Sequence, residues 1–230
     1  MHRRTVLAGA LASLAAPAAA APLFDGKLAQ NRFAGFFRPA SGVEPPGDVA
    51  LLDRAGRRRW DELTGKSRLV TLWAEWCAPC LAEARDFAHL QRRYGGERFE
   101  VLAILTSSFR KLDLPQAQAA LTKVKAGNLP LWIEPDGGDR LYRSLAHWDR
   151  VGKPVLPCTL LVDARGEVRA RMFGAPSRTP PVRLKPGEKA SAKALSDLQK
   201  KALESGQVTT AWAWPEADAF VRALATGAWS

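Results

Sequence analysis

The stretch SRLVTLWAEWCAPCLAE, Ser67 to Glu83, constrains this chain more than any other. An apolar run (Leu69, Val70, Leu72, Trp73) leads directly into two cysteines two residues apart, and reads as a buried strand that ends at the pair. After Pro79 the apolar positions Leu81, Ala84, Phe87, Ala88 and Leu90 recur at helical spacing until Gly95-Gly96 ends the pattern. FEVLAILTSS then supplies a second buried strand. Strand, helix, strand in that order predicts a right-handed parallel crossover. Cys77 would therefore sit at a helix N-terminus, where unpaired backbone N–H groups and the helix dipole favour an anion. A thiol so placed falls from about 8.5 toward about 7 or below and becomes a nucleophile.

A lone CxxC also fits a zinc clip or a structural staple. A structural zinc site needs four ligands, commonly a second CxxC or a close Cys/His pair. Beyond Cys77 and Cys80 the sequence holds only Cys158, His2, His89 and His147, in no such pattern. His89 and His147 read as surface or packing residues. A staple closing so short a loop would stabilise little, and three cysteines do not make a disulfide framework. Redox exchange is the reading that remains.

The rest of the chain completes an α/β architecture. VALLDRAGRRRWDEL predicts a hairpin turning at Asp53–Gly56. LPQAQAALTKV predicts a helix, LPLWIEP a short strand, and Asp139 to His147 a further helix. Residues 157–173 form a hairpin on Asp163–Gly166, and WPEADAFVRALA a final helix with Ala217, Phe220, Val221 and Leu224 toward the core. At 230 residues, 47% of them hydrophobic, the chain suits one medium domain with appendages. Residues 22–48 read as an extension and linker, with a short amphipathic helix in GKLAQNRFAGFFR that docks on the main body. Residues 49–230 read as the domain, with an insertion at about 175–210. That insertion is proline-rich and basic, then helical over SAKALSDLQKKALESG.

A formal charge of +11 raises the question of nucleic acid, but the basic residues are scattered and Arg57-Arg58-Arg59 is the longest run. A solvated basic surface follows, with no nucleic-acid partner. The N-terminus, MHRR followed by TVLAGALASLAAPAAA, has a positive n-region, an apolar h-region and A-x-A cleavage sites. Residues 1–21 are thus expected to be a signal peptide, or else an uncleaved anchor that would give the only membrane contact. RRTVL also has a weak twin-arginine character. The expected location is the bacterial periplasm, an oxidising compartment.

LVTLWAEWCAPC resembles the thioredoxin active-site strand, and WCAPCLAE resembles the TlpA-like branch of exported thioredoxins. The resemblance runs from about Val49 to Ala225, broken near 175–210, and rests on WCxPC, a downstream proline before a hairpin, and the DxxG turn. It implies a thioredoxin-like fold, a mixed central sheet flanked by helices. It also implies thiol–disulfide oxidoreductase activity that uses the Cys77–Cys80 disulfide and no added cofactor. Cys77 would attack and Cys80 resolve. Pro157 would be a cis proline that frees the backbone of Leu156 to pair with substrate, with Trp76 and Pro79 completing the rim. Glu83 matches a glutamate three residues after the second cysteine. It would exchange a proton with Cys80, the alternative being a solvated first-turn carboxylate.

Two positions depart from the pattern. Thr71 stands where thioredoxin has a buried aspartate, and Arg85 where many relatives have proline. The branch further implies reduction of exported protein disulfides, in cytochrome c maturation or oxidase copper-site assembly, with electrons from a membrane thiol donor. Two rivals accompany that expectation: a DsbA-like oxidant, and a Cu(I) chaperone using Cys77, Cys80 and Cys158 as soft sulfur ligands. In the plainest reading Cys158 is a small buried strand residue.

Overall fold

The computed structural model describes residues 23–24, 26–40, 45, 47–148, 153–174, 177–178 and 209–227. The expected signal peptide and the helix expected at 191–206 lie outside the described residues.

In chain order the elements are helix α1 (Gly26–Ala29), strands β1 (Arg38–Pro39), β2 (Leu51–Asp53), β3 (Gly56–Arg58) and β4 (Ser67–Trp73), then helix α2 (Ala78–Tyr94) and strand β5 (Phe99–Leu105). Helix α3 (Leu114–Lys123), strand β6 (Leu131–Ile133) and helix α4 (Arg140–Leu145) follow, then β7 (His147–Trp148), β8 (Lys153–Pro154), β9 (Cys158–Val162) and β10 (Val168–Phe173). Two short strands, β11 (Ser177–Arg178) and β12 (Thr209–Thr210), pair across the insertion before the last helix, α5 (Pro215–Ala225). The helix expected up to His147 stops at Leu145, and His147 opens the β7–β8 pair instead.

Eight strands form one mixed sheet in the order β1-β10-β9-β4-β5-β6-β2-β3. β4 and β5 run parallel, as a crossover through α2 requires, and β9 lies antiparallel to β4 on its other side. β4 is buried almost throughout, which explains its continuous apolar run: both of its faces are covered. Leu69 and Trp73 point to the layer of α2, α3 and α5, while Val70 and Leu72 point to the layer holding α4 and Trp60. The strand–helix–strand, the closing hairpin and the final helix make this a thioredoxin-like fold.

Within the extension, the segment expected to dock on the main body does so: Leu28, Phe33, Ala34 and Phe37 are buried in the core. Asn31 folds its 3-10 turn by accepting from Phe33 N at 2.8 Å, and its amide donates to Glu216 O of α5 at 2.9 Å. Phe33 then packs on Trp212 (ring centroids 4.7 Å apart) and Phe220, and Phe37 stacks on Phe220 at 5.2 Å. β1 follows as a strand paired with β10.

Candidate active site

Cys77 is the N-cap of the 17-residue helix α2, and Pro79 lies in the first turn, where a missing N–H is no loss. Cys77 and Cys80 form a disulfide with a Cα–Cα distance of 5.3 Å. The Cys77 sulfur accepts from Cys80 N at 3.3 Å, so the same backbone donor faces a thiolate once the bond is reduced. Both cysteines are largely buried, whereas Ala78 and Pro79 are exposed.

The Leu156–Pro157 peptide is cis. Pro157 O accepts from Gly174 N at 3.0 Å, tying the start of β9 to the end of β10. Gly174 has φ +59°, a left-handed conformation that suits glycine, and its open side faces the site. A Cβ built there would lie 3.7 Å from Pro157 Cγ and 4.0 Å from Glu83 Oε1. Glu83 thus lies beside the cis proline, one turn beyond Cys80. It is 2% exposed, so the alternative of a solvated first-turn carboxylate does not hold. Leu156 is partly buried against the core, and among the described residues no backbone hydrogen bond engages it.

Thr71 is buried on β4 opposite Thr159 of β9, so hydroxyls occupy the position for which the resemblance implied a carboxylate. Arg85 is partly buried beside Asp86 and favours that residue's ionised form. Burial pushes the Asp86 carboxyl up, against hydrogen bonds from Thr210 Oγ1 (2.7 Å) and Thr210 N (3.4 Å). This contact anchors the chain returning from the insertion onto α2.

Cys158 does not join the dithiol. It pairs with Leu72 on β4, and both point into the α4 layer, on the sheet face opposite α2. Its fully buried thiol donates to Leu145 O at 3.6 Å, and burial pushes it up to about 12, so it stays protonated. Among the described residues no group of three or more His, Cys, Asp or Glu gathers as a metal site. The Cu(I) site of Cys77, Cys80 and Cys158 is therefore corrected. Residues that alternate along a strand face opposite ways, and Cys158 is on the wrong side of β9.

Trp76 is 41% exposed, as expected of a rim residue, and its indole donates to Ser107 O at 2.7 Å. It stacks on Phe109 (centroids 4.9 Å apart, planes at 14°), which is 76% exposed. Phe109 was not among the residues predicted for the site. A phenylalanine inside the polar run SSFRK was the available signal.

A nucleophile at a helix start, a partner cysteine within bonding distance and a buried carboxylate beside a cis proline are a machine for disulfide exchange. The model of the Redoxin family matches residues 57–195. The chain belongs to the Redoxin family. It is 28% identical over 151 residues to the thiol:disulfide interchange protein HelX of Rhodobacter capsulatus, covering 65% of this chain and 73% of that protein. It is 27% identical over 149 residues to the thiol-disulfide oxidoreductase ResA of Bacillus cereus, covering 64% of this chain and 78% of that protein. A solved thiol:disulfide interchange protein DsbE of Chlorobium tepidum overlays with a TM-score of 0.44 at 23% identity, over 71% of this chain and 96% of that one. At that score the overlay adds nothing to the topology above. The Redoxin member described here is a thioredoxin-like thiol–disulfide oxidoreductase.

Proposed function

We propose that this Redoxin member is an exported reductant of specific protein disulfides. The observation that carries the reading is Cys77 at the helix N-cap with Cys80 bonded to it, and Glu83 buried near the cis Leu156–Pro157 peptide. In the reduced protein the Cys77 thiolate attacks one sulfur of the target disulfide, and the displaced target sulfur leaves as a thiolate that takes up a proton. Cys80 passes its proton to Glu83 and attacks the Cys77 sulfur of the mixed disulfide. The second target sulfur is displaced as a thiolate that takes up a proton, so the target leaves as a dithiol, having gained two electrons, and the Cys77–Cys80 disulfide is formed. Main-chain pairing at Leu156 holds the incoming segment extended, with Trp76 and Pro79 on the rim. Re-reduction requires a thiol donor, assigned to the membrane because the periplasm is oxidising.

The signal-like N-terminus and the similarity to HelX and ResA support the periplasmic location. The resemblance of WCAPCLAE to the TlpA-like branch points the proposal to targets in cytochrome c maturation or oxidase copper-site assembly. No helix among the described residues is long and apolar enough to cross a membrane. The test is the reduction potential of the Cys77–Cys80 couple, equilibrated in glutathione buffers. A value at or below about −220 mV is expected of a reductant with its own electron supply, and a value near about −120 mV would make the protein an oxidant and reverse the proposal.

A further inference from the structure

The exchange chemistry leaves one buried carboxylate unused. Glu134, 3% exposed, directly follows β6. Its Oε1 accepts from Arg140 N at 2.8 Å and Leu141 N at 3.2 Å, at the first turn of α4. Its Oε2 accepts from the Thr106 hydroxyl, and Thr106 Oγ1 in turn accepts from Tyr142 N at 3.2 Å. One side chain thus joins the end of β5 to the start of α4.

Between those points the chain is interlocked. Asp136 (φ 55°) and Gly137 (φ 73°) make the turn after Glu134 left-handed, and a Cβ on Gly137 would lie 2.4 Å from Ser108 O. Gly138 O accepts from Ser107 N at 2.6 Å, and Ser107 is itself left-handed at φ 53°. Unfavourable backbone of this kind persists only where its surroundings fix it. The loop so fixed is the one that holds Trp76: Ser107 O accepts from the indole, Phe109 stacks on its face, and Arg110 N donates to Glu75 Oε1 at 2.8 Å. Trp76 and Phe109 are the exposed large hydrophobic side chains among the described residues, and Trp76 immediately precedes Cys77.

We propose that Glu134 is a positioning residue for exchange: through Thr106 and Ser107 it fixes Trp76 and Phe109 as one aromatic shelf beside Cys77, which receives an apolar side chain flanking the target cysteine. This rests on the reading of the protein as a reductant of protein disulfides. The shelf is formed by two exposed rings, one of them on the residue immediately before the nucleophile, so its occupant is a side chain near the attacked sulfur. Preorganisation by Glu134 spares the substrate the work of ordering two rings.

The test uses two synthetic peptides with the same internal disulfide, one with Phe and one with Ser beside the attacked cysteine. Full-length protein reduces them under a thiol donor, and kcat/KM is compared. Wild type is expected to favour the Phe peptide by roughly 3- to 10-fold, the scale of one aromatic contact. Phe109→Ala, Glu134→Ala and Thr106→Val should bring the ratio toward one. Glu134→Gln, which keeps an acceptor for Arg140 N and Leu141 N and a donor for Thr106, should retain it. Combining Glu134→Ala with Phe109→Ala should lower the ratio no further than either alone. The exposed Phe109 can be removed without endangering the fold, so the test survives if Glu134→Ala unfolds. Equal rates for both peptides with wild type would overturn the shelf and leave the reductant reading standing. A preference untouched by the Glu134 and Thr106 substitutions would overturn the positioning role. Turnover of neither peptide would defeat the reductant reading and the shelf with it.

Discussion

Replacing Phe33 by alanine tests whether the N-terminal extension is part of the folded unit. Phe33 is 1% exposed and meets four rings: Phe36, Phe37, Trp212 and Phe220. Truncating a buried phenylalanine costs about 3–5 kcal/mol through lost transfer energy and the cavity left behind. Edge-to-face partners add to that area-based cost, so the upper half of the range applies, about 4–5 kcal/mol. In a chain of this size each kcal/mol lowers the melting midpoint by about 2–4 °C, which predicts a fall of roughly 8–20 °C. The loss should be global, because Trp212 also packs on Phe87 of the dithiol helix at 4.6 Å. Circular dichroism melts and limited proteolysis of the mature protein provide the assay. A midpoint lowered by less than about 2 °C, with protease trimming residues before 40 from an otherwise intact body, would refute the reasoning. The extension would then melt as a separate appendage.

Two further predictions concern titratable groups away from the dithiol. Burial raises the Asp86 carboxyl in the folded state, so its contribution to stability is full below the unfolded carboxylate pKa of about 3.9 and is lost as pH rises through the folded value. Asp86→Asn stays neutral and still accepts from Thr210, so at pH 7 it should be at least as stable as wild type, with the difference shrinking toward pH 4 in denaturant titrations; an advantage that grows on acidification would refute the sign. Cys158, pushed up to about 12, should resist iodoacetamide at pH 8 in the folded, reduced protein and react once guanidinium unfolds it, and mass spectrometry showing equal labelling in both states would contradict its buried placement.

Much of the fold was legible where local pattern and tertiary role coincide. The apolar run 69–73 reads as a strand buried on both faces. The period of α2 and the Asp163–Gly166 turn follow from nearest-neighbour chemistry, and the structure agrees at each. Docking of the extension was expected, but as one amphipathic helix; FAGFF instead makes a 3-10 turn whose partners lie some 180 residues away at Trp212 and Phe220. Cys158 illustrates a different limit. Its burial was foreseeable, but which face it took depended on the register of β9 against β4, where one residue's shift reverses every side chain. For Glu83 the sequence left a proton-exchange partner and a solvated first-turn carboxylate both open, and its burial near the end of β10 removes the second. Glu134 was read only as part of the short strand LPLWIEP, and only the folded α4 turns it into an acceptor for three donors.

The pairing of β1 with β10 has a consequence for how this sheet meets other chains. A sheet normally ends in a row of open N–H and C=O groups that will template another strand. Here one margin is finished by two residues, Arg38 and Pro39, and the other by Gly56, Arg57 and Arg58. Both are too short, too cationic or too poor in donors to recruit a neighbour. With both margins so short and cationic, the eight-stranded sheet offers little edge along which a foreign strand could be added.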